Sequence, residues 1–131
     1  MSESINTFED LDVWKLGCQL AVDVCVVTAD SKNFTLKDQM QRSAISIPSN
    51  IAEGCERDST PDFIKFLRYS KGSCGELSTQ LYIAERVHKS LGQPTFNGSR
   101  EMISETKKIS KMLQALINSL KRRIKDPSTD H

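Results

Sequence analysis

The chain has 131 residues, of which 37% are hydrophobic and 27% charged, and a formal charge of +1. That length holds one core, and the composition suits a single soluble globular domain spanning residues 1–131. No apolar run approaches the ~20 residues that cross a bilayer, and Met1–Asn6 has neither the basic nor the apolar region of a signal peptide, so no membrane partner and a cytoplasmic location are expected.

Helical periodicity runs from end to end, with no sustained period-two alternation. The first helix is expected over about residues 8–29. Val13, Gly17, Leu20, Val24 and Val27 form its apolar stripe, widened by Trp14, Ala21 and Thr28. The second is expected over about 36–56, opened by a capping-box-like Thr35–Asp38 pair. Its stripe is Leu36, Met40, Ala44, Ile47 and Ile51.

The second helix carries a proline in its interior. Pro48 removes the bond to the carbonyl of Ala44, a cost of about 3 kcal/mol. Either the helix ends near Ile47, or it continues with a kink at Pro48. The unbroken spacing Ala44–Ile47–Ile51 predicts the kink. A second stripe, Gln39, Ser43, Ser46, Asn50, Glu53 and Arg57, runs beside the apolar one. Its small residues suit close approach of a neighbouring helix, with Asn50 satisfying carbonyls loosened by Pro48; the alternative is a ligand or partner surface.

Ser59 and Pro61 open a third helix, over about 60–90, on the first-turn preferences for hydroxyl caps and proline. Leu67, Ser70, Cys74, Leu77, Leu81, Ala84 and His88 alternate steps of three and four, a heptad seam. Ser99 is expected to cap a fourth helix over about 99–125. Its seam is Ile103, Thr106, Ser110, Leu113, Ile117, Leu120 and Ile124, with Met102, Ile109 and Leu116 in a second row. Asp126-Pro127 ends it, and the termini are expected to fray. Long amphipathic helices with short loops predict an all-α, antiparallel up-down-up-down four-helix bundle. The wide stripes on the first and fourth helices predict association between copies.

Cys18, Cys25, Cys55 and Cys74 form no Cys-x-x-Cys pair, so free thiols are expected and no metal site. Asn33-Phe34-Thr35 and Asn97-Gly98-Ser99 match the glycosylation triplet by chance. The net charge hides an asymmetry: residues 1–32 carry −4 and residues 100–125 carry +6.

Three stretches carry a family resemblance. They are Phe8-x-x-Leu11-x-Val13-Trp14; Gln39-x-x-Arg42-x-Ala44-x-Ser46-Ile47-x-x-Asn50-Ile51-Ala52-Glu53-Gly54-x-x-Arg57; and Phe63-x-x-Phe66-Leu67 followed by Gly72-Ser73-x-x-Glu76-Leu77-x-x-Gln80-Leu81-x-x-Ala84. In this order they resemble the four-helix-bundle family whose founding members are encoded by intervening sequences within bacterial 23S ribosomal RNA genes. The resemblance covers residues 8–84. It implies assembly into a homopentameric ring or barrel, and it does not imply an enzyme. A related branch, the accessory variability proteins of diversity-generating retroelements, is basic and binds nucleic acid and a reverse transcriptase. This chain departs from that branch in its near-neutral charge. It also departs from the family in Gly17, where alanine is common, and in a first loop without proline. Through the resemblance, Arg42, Asn50, Glu53, Arg57 and Glu76 are expected to form a polar network that sets register between helices or subunits.

Three functions follow as expectations. The first is a non-enzymatic, self-assembling bundle that presents a surface to a protein partner. The second is a binder of RNA or DNA through Lys107, Lys108, Lys111, Lys121, Arg122 and Arg123 on the fourth helix, with no aromatic platform and no sequence-reading motif expected beside them. The third, an enzyme, has little support: His88 and His131 are the only histidines, and Gly72-Ser73-Cys74-Gly75 is not a nucleophile elbow. A carboxylate pair such as Glu53 and Glu76 is the one catalytic arrangement left open. No catalytic residue and no cofactor are expected.

Overall fold

The computed structural model describes residues 7–125 and contains four α-helices, with no strand among those residues. They are α1 (Asp12–Thr28), α2 (Phe34–Cys55), α3 (Thr60–Ser90) and α4 (Ser99–Lys125). The stop at Asp126-Pro127 and the termini expected to fray lie outside the described residues.

The first helix begins later than expected. Phe8–Asp10 form one 3-10 turn, and Leu11 is extended before α1 starts. This break folds Phe8 back until its ring lies 5.2 Å from that of Trp14, while Leu11 is buried. The second helix begins earlier than expected, at Phe34. Asn33 offers its side-chain oxygen to the N–H of Leu36 at 3.2 Å and takes the capping role expected of Thr35. Asp38 is left to pair with Arg42. Ser59 caps α3 as expected, accepting from the N–H of Asp62. Ser99 does not cap α4: it is the first helical residue, and its hydroxyl donates to Glu85 on α3.

The α3–α4 turn is fixed by local geometry. Gly92 has φ +66°, and the N–H of Gln93 reaches back to the carbonyl of His88 at 2.8 Å. This is a Schellman closure, which needs a residue without Cβ at the left-handed position.

Each helix packs on its chain neighbours, and α1 also packs on α4. The α1/α2 pair and the α3/α4 pair are therefore opposite sides of one bundle. Cross-helix partners run in opposite senses: Thr28 meets Gln41 whereas Gly17 meets Ile47, and Ser73 meets Ser46 whereas Phe63 and Phe66 meet Gly54. The core consists mainly of the expected stripes. Leu20, Val24, Met40, Ile47, Leu67, Leu77, Leu81, Leu113 and Ile117 are essentially inaccessible. His88 and Ser110 are only half-buried, and Ile124 lies exposed at the end of its seam, where no neighbouring helix covers it.

α2 continues through Pro48 as one helix, so the reading in which it ends near Ile47 is excluded. Two glycines set how closely other helices approach it. A Cβ on Gly17 would lie 3.3 Å from Ile47 Cγ2 and 3.5 Å from the Pro48 ring. A Cβ on Gly54 would lie 2.8 Å from Phe66 Cβ and 3.0 Å from the Phe63 ring. Gly72 differs: it is exposed within α3, and a Cβ there would meet nothing within 4 Å. Two substitutions should therefore act in opposite directions in urea unfolding. Gly54→Ala should lower stability by about 1–3 kcal/mol through overpacking. Gly72→Ala should raise it by about 0.5–1 kcal/mol through helix propensity. Equal effects from the two would contradict the close approach at Gly54.

Candidate functional site

The two central stretches of the sequence pattern meet along the α2/α3 seam. Ser46 Oγ donates to Ser73 Oγ and also approaches the carbonyl of Ser43 at 2.9 Å. Ser70 Oγ donates 2.8 Å to the carbonyl of Ile47, one residue before the proline. Asn50 Nδ2 donates 2.9 Å to the carbonyl of Ser46. Small hydroxyl residues thus supply polar bonds between helices too close for long side chains, and Asn50 serves the backbone of its own helix.

The five residues expected to form one network are divided within the chain. Arg42 pairs with Asp38 at 3.2 Å, one turn back on the same helix, and both side chains are exposed. Arg57 pairs with Glu53 at 3.2 Å and lies 4.7 Å over the ring of Phe66. Glu76 is exposed and is in no ion pair among the described residues. Exposed pairs of this spacing contribute a few tenths of a kcal/mol. Arg42 and Glu76 share an open groove of about 890 Å³ with Gln39, Ser46, Ser49 and Gln80. Gln80 Oε1 is buried without a hydrogen-bond partner. Glu53 does not line that groove, so the carboxylate pair left open by the sequence is not brought together there.

Two outer faces differ in chemistry. On the α1/α2 side, Val22, Val26 and Ile45 are 53%, 68% and 49% exposed. Between these helices lies a shallow apolar groove of about 380 Å³, lined by Trp14, Cys18, Val22, Ile45, Pro48 and Ala52 among others. On the α3/α4 side, Lys107, Lys108, Lys111, Lys121, Arg122 and Arg123 are all exposed. The structure adds an aromatic ring that the sequence reading did not place beside them. Tyr82 of α3 has Lys107 Nζ 3.2 Å from its hydroxyl and 5.6 Å from its ring centre, with the Arg100 guanidinium at 5.5 Å. Arg100 also pairs with Glu85 at 2.9 Å. Tyr82 lies next to the buried seam residue Leu81, a position that faces outward on a helix packed on one side; that offset was the available signal.

All four cysteines are free thiols, and among the described residues no group of three or more His, Cys, Asp or Glu side chains could hold a metal. His88 lies at the far end of α3, with its ring edge-on to Phe96 at 4.7 Å and a buried Nδ1 without a partner. No helix among the described residues is long and apolar enough to cross a membrane.

The molecule is a four-helix bundle with a hydroxyl-rich internal seam and two unlike outer faces. The profile of the 23S rRNA-intervening sequence protein family matches residues 9–115, and the chain belongs to that family. It is similar to a crystal structure from Bacteroides thetaiotaomicron, described as a protein of unknown function from the S23 ribosomal protein family. The likeness has a TM-score of 0.71 at 24% identity, covering 80% of this chain and 97% of the other, and is one of fold. No curated protein matches the chain.

Burial pushes the Cys74 thiol up to about 12 and raises Cys18 and Cys55 above the ordinary thiol range. At pH 9 Cys74 is then held as the protonated thiol and not as the reactive thiolate. Iodoacetamide at pH 9 should leave Cys74 unmodified in the folded protein and modify it in urea. Cys74 also opposes alkaline conditions with a definite sign: its contribution to stability is intact below about pH 9 and is lost as pH climbs toward 12, because the unfolded chain releases the proton first. Equal alkylation of Cys74 with and without urea would contradict this burial.

Proposed function

We propose that the protein is a non-enzymatic, self-assembling bundle of the cytoplasm whose work is to present a surface to a protein partner. The observation that carries this reading is the α1/α2 face. Val22 and Ile45 line a groove with Trp14 and Pro48, and nothing among the described residues covers them. Exposed apolar side chains grouped around a groove mark an interaction surface, whereas scattered ones do not. Pentamer is the ring size implied by the family resemblance. A ring of identical subunits repeats any surface patch several times, which turns weak single contacts into useful avidity. No cofactor enters this reading.

A second reading, RNA or DNA binding, is supported by the exposure of all six basic residues singled out on α4. Phosphate contact needs no reading motif, only accessible cations at suitable spacing.

The assembly reading makes a direct prediction. Ile45→Glu, at an exposed site, should leave the helical content and thermal unfolding of the subunit nearly unchanged. In an apolar interface the same carboxylate must be desolvated, so the variant's association should weaken by about tenfold or more in size-exclusion chromatography with light scattering. Unchanged association of Ile45→Glu and of Val22→Glu would contradict this face as the interface.

A further inference from the structure

The charge of this protein is divided between the two sides of the bundle. Residues 1–59, which supply α1 and α2, hold ten acidic and five basic side chains, whereas residues 60–125, which supply α3 and α4, hold five acidic and thirteen basic ones. A near-neutral total thus conceals a side of net +8. Of the acidic residues on that side, only Glu85 is paired with a cation beside Tyr82, namely Arg100. Glu76 lines the groove toward α2, and Glu101 and Glu105 line a cleft toward α1. Glu85 is held between Ser99 and Arg100, and Asp62 lies in the first turn of α3.

What remains is ordered at helical spacing. On α3, Arg68, Gly75, Tyr82 and Lys89 follow at steps of seven, and all four are exposed. Such steps keep side chains along one face. At 1.5 Å per residue the row is about 31 Å long. On α4, Arg100 and Lys107, also seven apart, converge on Tyr82. Lys111 lies one turn beyond Lys107, and Arg68, Lys89, Lys107 and Lys111 are in no ion pair among the described residues. Gly75 leaves the surface open above the middle of the row, because a Cβ there would meet nothing within 4 Å.

We infer that the α3/α4 face is a binding track for single-stranded nucleic acid, in which Tyr82 stacks against an unpaired base and the flanking cations contact phosphates. The inference rests on the nucleic-acid reading above and deepens it by naming the site and the strand state. Cations alone would accept any polyanion. The aromatic ring set among them is the element that favours an unpaired base, since stacking on an exposed ring requires a free base face and is indifferent to sequence. An anionic membrane would be served better by apolar side chains on the same face. The exposed apolar residues Ile83 of α3 and Leu91 just after it line a separate groove with Arg86 and Ser90, outside the row that holds Tyr82, and Val22 and Ile45 flank the α1/α2 groove.

The test is fluorescence anisotropy with the full chain and three probes: a 20-nucleotide oligo(U), a 20-base-pair duplex, and vesicles containing phosphatidylserine. The oligo(U) is expected to bind at least tenfold more tightly than the duplex. For three or four phosphate contacts, the logarithm of affinity should fall with the logarithm of salt at a slope of about −2 to −3. Tyr82→Ala should weaken oligo(U) binding by roughly five- to fiftyfold, and Tyr82→Phe should restore it, because the ring and not the hydroxyl stacks. Arg68→Glu on α3 should weaken binding several-fold, whereas Arg42→Glu on α2 should leave it unchanged; circular dichroism checks that each variant is folded. If duplex and oligo(U) bind alike, Tyr82→Ala is neutral and Lys111→Glu weakens both, the inference falls while the broader nucleic-acid reading stands. If neither nucleic acid binds at low salt, or only the vesicles do, both fall.

Discussion

Close contact between α2 and α3 is the constraint on which the rest of the bundle depends. Gly54 lies against Phe63 and Phe66 with no room for a methyl group, and Ser46 and Ser73 join hydroxyls across the same interface. Ser70 then reaches the carbonyl of Ile47. Helices this close exclude long side chains between them, so the polar groups at the seam must be small and must find partners locally. The same constraint explains why the proline is tolerated. Pro48 cannot donate to the helix and its ring adds bulk, but it is buried against Gly17 of α1, and the carbonyl of Ile47 just before it accepts from Ser70.

With the interior committed to close packing, function is left to the outer faces, and the two sides have different chemistry. The α1/α2 side is net acidic and carries grouped apolar side chains. The α3/α4 side is net basic and carries an exposed tyrosine. Such a division suits a subunit that associates through one side and leaves the other free for a polyanion. It also gives the near-neutral total charge little weight as an argument about partners, because local potential, not net charge, governs the approach of a charged ligand.

Most of the fold was legible in the sequence. The heptad spacing from Leu67 to Ala84 and the stripe from Met40 to Ile51 are buried as their periodicity requires, since burial of one helical face is what the pattern encodes. The helix ends were less legible where two side chains competed for one role. Asn33 outcompetes Thr35 as a cap, and Ser99 gives its hydroxyl to Glu85. The candidate site was legible only in part. Asp38 and Arg42, like Glu53 and Arg57, are four residues apart on α2, and these same-helix pairs formed in place of one network. The meeting of Tyr82 with Lys107 joins residues 25 positions apart on different helices, and such a contact depends on register between helices, which no local pattern specifies.

The proposed association through the apolar α1/α2 side would complete this bundle. Sedimentation equilibrium of the wild-type protein at micromolar concentration tests it most directly. The expected mass is a multiple of the 14.7 kDa subunit, with five copies as the expected number. A single species of 14.7 kDa across the full concentration range would contradict it.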